Sequence, residues 1–358
     1  MALADIAMLV VGIAAIALAL LDVFQSVVLP RAATFTYRFS FIVWRGLWML
    51  WPAVASRIYP RESPRREDLL ATFAPFALIA MVAVWIIVLV LGYGAIFWAL
   101  RAELTPAPQS YWDAAYFSGT SLLTIGFGDI VARHGAARFV SLCAAASGLG
   151  VFAITTAFLF AIFGTFQRRE AFIVAFSARA GSPPSGTGLF EVAAKTQTLD
   201  ALGGVMKDAQ DWIAALMESH LAYPVLGFFR SSHDEVSWVG TLGALLDAAL
   251  LAMTTLELPC FGEARICFAI GRHAVHDLGR YFARSPLVDG PGITREEFDR
   301  ACDRLASSGC AMRDRDAAWL DFARMRAEYA GQLNAMARFF QIPPVQWIGE
   351  RAALSPHH

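Results

Sequence analysis

The 358 residues are 57% hydrophobic and 16% charged, with a mean hydropathy of +0.51. That is too apolar for an ordinary soluble protein and points to several membrane spans. A net charge of −1 supplies no basic field for nucleic acid. The five cysteines, Cys143, Cys260, Cys267, Cys302 and Cys310, form no CxxC pair and read as reduced thiols rather than a disulfide framework.

The first apolar stretch runs from about Ile6 to Leu29. No basic residues precede it and no cleavage site follows, so it is expected to span rather than to be a signal peptide. Asp22 is unusual inside it. It either pairs with a basic residue elsewhere, senses protons, or lies near the headgroups. Next come Arg31, Arg38, Arg45, Arg57, Arg61, Arg65 and Arg66 against only Glu62 and Glu67, the excess of a cytoplasmic loop. Within residues 36–58, Trp44, Trp48 and Trp51 are spaced along one helical face, in a stretch broken by Arg38 and Arg45, which suits a helix lying in the membrane interface. The alternative, a further span burying Arg45, reverses the N-terminus and places a costly charge at mid-bilayer. No charge occurs between Asp68 and Arg101, or between Arg138 and Arg168, so each interval offers a span. Arg168 and Arg169 mark the same side as the earlier arginines. The chain is thus expected to start outside and to carry the loop between its second and third spans on the outer side. The arginines are not a voltage sensor, since neither charge-free span offers cations.

That outer loop holds the most informative residues. Pro106, Pro108 and Ser110 interrupt the chain, and Ser110 with Asp113 reads as a capping box for a short helix, Tyr111–Leu123. A dozen residues cannot cross a bilayer, so the helix is re-entrant and must be buried in protein. Its C-terminal end carries the negative pole of the helix dipole, which favours a cation there. Thr124-Ile125-Gly126-Phe127-Gly128-Asp129 follows. Gly126 and Gly128 take backbone angles that other residues avoid, so successive carbonyls can face one axis while Ile125 and Phe127 point away. Thr124 adds a hydroxyl at the inner end and Asp129 a negative charge at the outer mouth.

This hexapeptide, with Tyr111-Trp112-Asp113-Ala114-Ala115-Tyr116-Phe117-Ser118 before it, resembles the pore region of potassium channels. The resemblance covers roughly residues 68–168, as outer helix, pore helix, filter and inner helix. It implies that Thr124 to Gly128 form the ion-binding strand, with carbonyls of Thr124, Ile125, Gly126 and Phe127 and the Thr124 hydroxyl replacing the water shell of K⁺. Two residues depart from the common pattern: Leu123 stands where threonine is frequent, and Phe127 replaces tyrosine, losing a hydroxyl tether. Thr120 stands where some relatives carry a buried carboxylate. One filter per chain implies a homotetramer with cyclic symmetry. Gly148 lies where related channels have a gating hinge; Gly148 and Gly150 serve either bending or close helix packing. Phe160, Phe163 and Phe166 recur every third residue, as a hydrophobic constriction or as lipid-facing packing. Gly148, Gly150, Phe163 and Phe166 are the gating candidates. Thr155 and Thr156 line the cavity or bond back to their own helix.

Gly181-Ser182-Pro183-Pro184-Ser185-Gly186 reads as a linker, and apolar residues then recur at helical spacing. Helices are expected from Leu189 onward, near Val236–Leu258, and as a charged amphipathic segment near Arg295–Phe340. The apolar Val236–Leu256 stretch is read as a buried bundle helix because Asp247 sits at its middle; a further span is the alternative. No strand followed by GxGxxG occurs. Phe261-Gly262-Glu263 with Arg272 lacks the β-strands of a cyclic-nucleotide cassette, and Cys260, Cys267, His273 and His276 fit no common zinc spacing. No catalytic constellation is present, so no enzyme is expected, and no cofactor or metal beyond the permeant K⁺.

The expected fold is all-α: a membrane pore module with an extra N-terminal transmembrane helix and a C-terminal helical domain in the cytosol. The divisions are an N-terminal span (1–30), an interfacial helix and linker (31–67), the pore domain (68–168), a linker (169–188) and a regulatory or assembly domain (189–358). The expected function is a K⁺-selective channel of the cell membrane, a homotetramer in the lipid bilayer, answering to an unknown cytosolic ligand. The alternatives are a potassium uptake transporter subunit, which usually carries four degenerate pore loops, and a weakly conducting sensor or scaffold.

Overall fold

The computed structural model describes residues 2–29, 39–60, 63–233, 236–283, 292–342 and 348. Arg31, Arg38, Arg61 and Glu62 of the charge argument lie outside them, as does most of the chain beyond 342. The chain forms two compact units, Met1–Phe163 and Gly164–His358.

Three helices of the structure are long and apolar enough to cross a membrane: Leu3–Val28, Arg65–Ala99 and Gly135–Ala180. In the first unit, α1 (Leu3–Val23) continues as a π-helical turn, Phe24–Val28. After α2 (Phe39–Ile58) and α3 (Pro64–Ala71) comes the outer helix α4 (Phe73–Ala99). Helices α1 and α4 are apolar on nearly every face, as spanning helices must be where no water meets them. They pack antiparallel through small residues: a β-carbon added at Gly12 would lie 2.6 Å from the Gly92 carbonyl oxygen. Polar contacts hold both ends of this pair. Arg101 reaches Asp5 at 2.6 Å, and the Trp85 indole N–H donates to the buried Asp22 carboxylate at 2.7 Å. Asp22 is thus held by an indole N–H of the outer helix.

The tryptophans of α2 pack on protein. Trp48 and Trp51 set their rings against Phe73 at 4.7 and 5.7 Å, and the Trp51 indole donates to the Leu69 carbonyl at 3.0 Å. The opposite side, with Arg45, Met49, Leu50, Val54, Arg57 and Ile58, is exposed. The tryptophan spacing therefore marks the contact with the start of α4.

The pore helix α5 (Tyr111–Leu122) lies against α4, with Phe97 and Phe117 edge to face at 4.8 Å. Strands β1 (Leu104–Thr105) and β2 (Val131–Ala132) pair antiparallel and close the loop containing α5 and the hexapeptide. Glu103 completes the closure. Its carbonyl accepts from the Arg133 N–H, and its carboxylate accepts from the Ala137 N–H at 2.9 Å, in the first turn of α6 (Gly135–Ala180). The core joins Trp85, Leu89, Phe97, Phe117, Leu122 and Val151. Tyr93 links the outer and inner helices through Ser147 Oγ at 2.7 Å.

The second unit starts within α6, so residues 169–180 are helix and not the expected linker. The helix continues because its buried charges, Arg169 and Glu170, find partners in the unit itself. Gly181, at φ +88°, ends it. The connection shrinks to a short turn before α7 (Gly186–Lys195), whose N-terminus Ser185 caps by accepting from the Gly188 N–H. Helices α8 (Leu202–Ala222), α9 (Trp238–Thr254) and α10 (Phe261–Phe282) follow. Helix α9 is buried almost all round but has only 17 residues, below the roughly 20 a span needs. Asp247 is fully buried there, held by Arg326 at 3.0 and 3.1 Å and by the Tyr329 hydroxyl, so the bundle reading describes this helix. The single segment expected over 295–340 is instead α11 (Arg295–Ser307), α12 (Arg315–Ala327) and α13 (Ala330–Phe339). Gly309 at φ +90° and Asp314, which caps α12, stop and restart the helix.

Candidate functional site: the pore loop

Helix α5 aims the hexapeptide. Ser110 Oγ accepts from the Asp113 N–H at 3.2 Å, and the Asp113 carboxylate accepts from the Ser110 and Gln109 N–H groups at 2.9 Å each, the reciprocal cap expected from the two residues. At the other end the Thr120 carbonyl accepts from the N–H groups of both Ile125 (2.8 Å) and Gly126 (3.3 Å). This folds the strand back onto the last turn of the helix. The Thr120 hydroxyl, at the position expected to differ from the common pattern, donates to the Phe117 carbonyl at 2.9 Å.

Residues Thr124, Gly126 and Gly128 have φ values of +55°, +63° and +81°, while Ile125 and Phe127 between them do not enter the positive range. Alternating positive and negative φ turns successive peptide planes the same way, which brings carbonyls into one file. Glycine takes these angles freely; at Thr124 a β-branched residue holds one, which is uncommon. The Thr124 hydroxyl donates to the Leu123 carbonyl at 2.8 Å, so its lone pairs remain available to a cation. Phe127 is 68% exposed, with its ring parallel to Tyr116 at 6.5 Å. The Tyr116 hydroxyl faces the Asp129 carboxylate. Sequence reasoning missed this last contact and the Glu103 closure; the first was accessible from the (i, i+13) return of the loop, the second had no local signal. Every residue from Leu123 to Asp129 is exposed within one chain.

The gating candidates fall in different surroundings. A β-carbon at Gly148 would stand 1.9 Å from the Leu122 carbonyl oxygen, so the inner helix passes the end of α5 with no room for a side chain. Nothing lies within 4 Å of the same position on Gly150. Helix α6 is continuous through both. Phe163 is exposed, whereas Phe166 sits against Phe229 at 5.4 Å and under the Arg169 guanidinium at 5.1 Å. Thr156 bonds back to the Phe152 carbonyl at 2.9 Å; the Thr155 hydroxyl is buried and makes no hydrogen bond within the described residues. Cys267 faces the core of the second unit, while His273 and His276 of the same helix face solvent, so the four residues weighed as a metal set do not converge. Burial pushes the Cys267 thiol up to about 12, so it stays protonated.

The comparisons with known proteins fall on this same module. Residues 85–164 match the family model described as Ion channel, taking in most of α4, the whole pore loop and α6 as far as Gly164. Over this stretch the chain is similar to that ion-channel family, in line with the resemblance to pore-loop channels. An uncharacterized membrane protein of Bacillus subtilis (strain 168), YdjJ, is 24% identical over 186 residues, 51% of this chain. The match spans about half (53%) of that relative's own length. No solved structure matches. The apolar spans among the described residues are those expected of a membrane protein.

Proposed function

We propose that the protein is a K⁺-selective channel in which four chains surround one pore. The observation that carries this reading is the alternating backbone of Thr124 to Gly128, with positive φ at the first, third and fifth residues. Carbonyls in one file replace the hydration shell of a dehydrated cation only when several strands face one another. A single chain leaves residues 123–129 exposed, so the site is complete only in an assembly. The inner helix carries a matching surface. Phe139, Leu142, Leu149, Phe160 and Phe163 are exposed, and their separations return to one broad face of the helix. Around such an axis the four α5 helices direct their negative ends at the pore centre. Asp129 adds charge at the outer mouth, and the C-terminal unit lies in the cytosol, where it regulates or assembles the channel.

The test is flux of K⁺ against Na⁺ into liposomes containing the purified full chain, with Ba²⁺ as blocker. K⁺-selective, Ba²⁺-sensitive flux is expected. Equal flux of the two ions defeats the selectivity, and a mass other than that of four chains in native mass spectrometry defeats the assembly.

A further inference from the structure

The C-terminal part of α6 carries a buried charge cluster that the channel reading does not use. Arg169 is 4% exposed and donates through all its guanidinium nitrogens. Nε and Nη2 lie 2.9 Å from the Glu170 carboxylate, Nη1 is 2.9 Å from the Leu226 carbonyl, and Nη2 is 2.8 Å from the Phe229 carbonyl. The Ser231 hydroxyl donates to the other Glu170 oxygen at 2.5 Å. The end of the inner helix is thus clamped to the 224–231 segment by one guanidinium and one carboxylate.

His220, on α8, closes the cluster. It is 1% exposed, with its ring 4.9 Å from that of Trp238. Its Nδ1 stands 2.8 Å from the Leu216 carbonyl, which can only accept, so Nδ1 carries the proton. Its Nε2, 3.3 Å from Arg169 Nη1, is then the acceptor of a guanidinium N–H. The Ser219 hydroxyl, 3.2 Å from Nδ1, donates to the same Leu216 carbonyl at 3.1 Å, which leaves this tautomer in place. A proton on Nε2 removes that acceptor, turns N–H against N–H, and sets two cations in contact away from water. The charged groups facing His220 are Arg169 and, beyond it, Glu170, both from α6; the 224–231 segment offers carbonyls and the Ser231 hydroxyl, and α9 an indole ring. We propose that His220 is an acid sensor: protonation at Nε2 expels Arg169 from the Leu226 and Phe229 carbonyls and frees the end of the inner helix. Burial first, and the neighbouring guanidinium second, hold the imidazole well below its usual range, so the device responds to marked acidification and stays silent near neutrality. That release changes K⁺ flux rests on the channel reading; the release itself does not.

The experiment is amide hydrogen exchange of the full chain in detergent at about pH 7.5 and about pH 5, corrected for intrinsic rates, read over residues 222–232. Wild type is expected to lose protection there by roughly tenfold in acid, a local opening. His220→Gln, whose amide oxygen accepts from Arg169 at every pH, and His220→Asn are expected to show no acid step. Unchanged protection in wild type, or a step surviving in both His220 variants, overturns the proposal. Flux in proteoliposomes at the two pH values reads the consequence separately. An acid step in exchange with K⁺ flux constant removes the regulatory role, and an exchange step in a chain that passes no K⁺ at either pH counts against the channel reading alone.

Discussion

A backbone carbonyl cannot be mutated, so the residues that aim the filter carbonyls are the ones to test. Gly126 holds φ +63°, an angle that costs an L-residue about 1 kcal/mol or more. Gly126→Ala is expected to abolish K⁺-selective flux while the native mass of the assembly stays unchanged, because no neighbour lies within 4 Å of the added methyl. Loss of the assembly along with the flux would instead make the strand a structural contact. His220 gives a second prediction at this scale. Its pKa in the folded chain lies well below 6.5, the value expected once unfolded. Above about pH 6.5 both states leave it neutral, and it adds no pH dependence. As pH falls below that, the unfolded chain takes up a proton that the folded chain refuses, so stability declines until the folded pKa is reached. The apparent melting temperature of the full chain in detergent, at fixed scan rate, should fall with acid in this window and fall less in His220→Gln. Equal slopes in the two chains would reject the assignment.

At the scale of elements, the contact of α6 with α5 separates two roles that glycine can play. The Gly148 position has the Leu122 carbonyl oxygen 1.9 Å from where a β-carbon would stand, and Gly150 has open space. Gly148→Ala must push the inner helix off the pore helix, and is expected to lower the apparent melting temperature by several degrees and to disturb the filter, read as lost K⁺/Na⁺ discrimination. Gly150→Ala is expected to leave stability unchanged or slightly raised, since alanine favours helix over glycine by about 1 kcal/mol. If Gly150→Ala changes channel opening without touching stability, that position bends; if Gly148→Ala is harmless, the close approach is not maintained in the assembly. The pair α1 and α4 shows the same logic with different glue. Glycines allow the approach at Gly12 and Gly92, and the Asp5–Arg101 and Asp22–Trp85 contacts set the register.

For the whole molecule, helix α6 is the common element. Its 46 residues extend about 69 Å at 1.5 Å per residue, more than twice the ~30 Å of a hydrocarbon core. A helix of that length exceeds a single membrane crossing, and its last residues belong to the second compact unit. That unit is held by its own buried charge pair. Asp247→Asn leaves Arg326 uncompensated in the core, and a change of this kind costs roughly 3 to 5 kcal/mol. The expected outcome is a large drop in folded yield and in melting temperature. Asp247→Leu with Arg326→Met is expected to recover part of it, because no orphan charge remains. A harmless Asp247→Asn would show that water reaches the pair.

What was legible in the sequence is what local chemistry decides. Spans are runs of apolar residues, because a bilayer leaves a backbone no partner but itself. The cap of α5 is written in Ser110 and Asp113, three residues apart, and the filter turn in alternating glycines, because φ is a property of single residues. The misread places have a shared cause. The supposed linker at 169–180 and the supposed single helix over 295–340 were judged on composition and period, which are blind to a distant partner or to a glycine that ends a helix. Only the tertiary structure decided the pairings of Asp5 with Arg101, Asp22 with Trp85, Arg169 with Leu226 and Phe229, and Asp247 with Arg326, whose partners lie 57 to 96 residues apart. A buried charge must be satisfied by something, but which group satisfies it depends on how helices cross, and that is set by packing rather than by any local pattern.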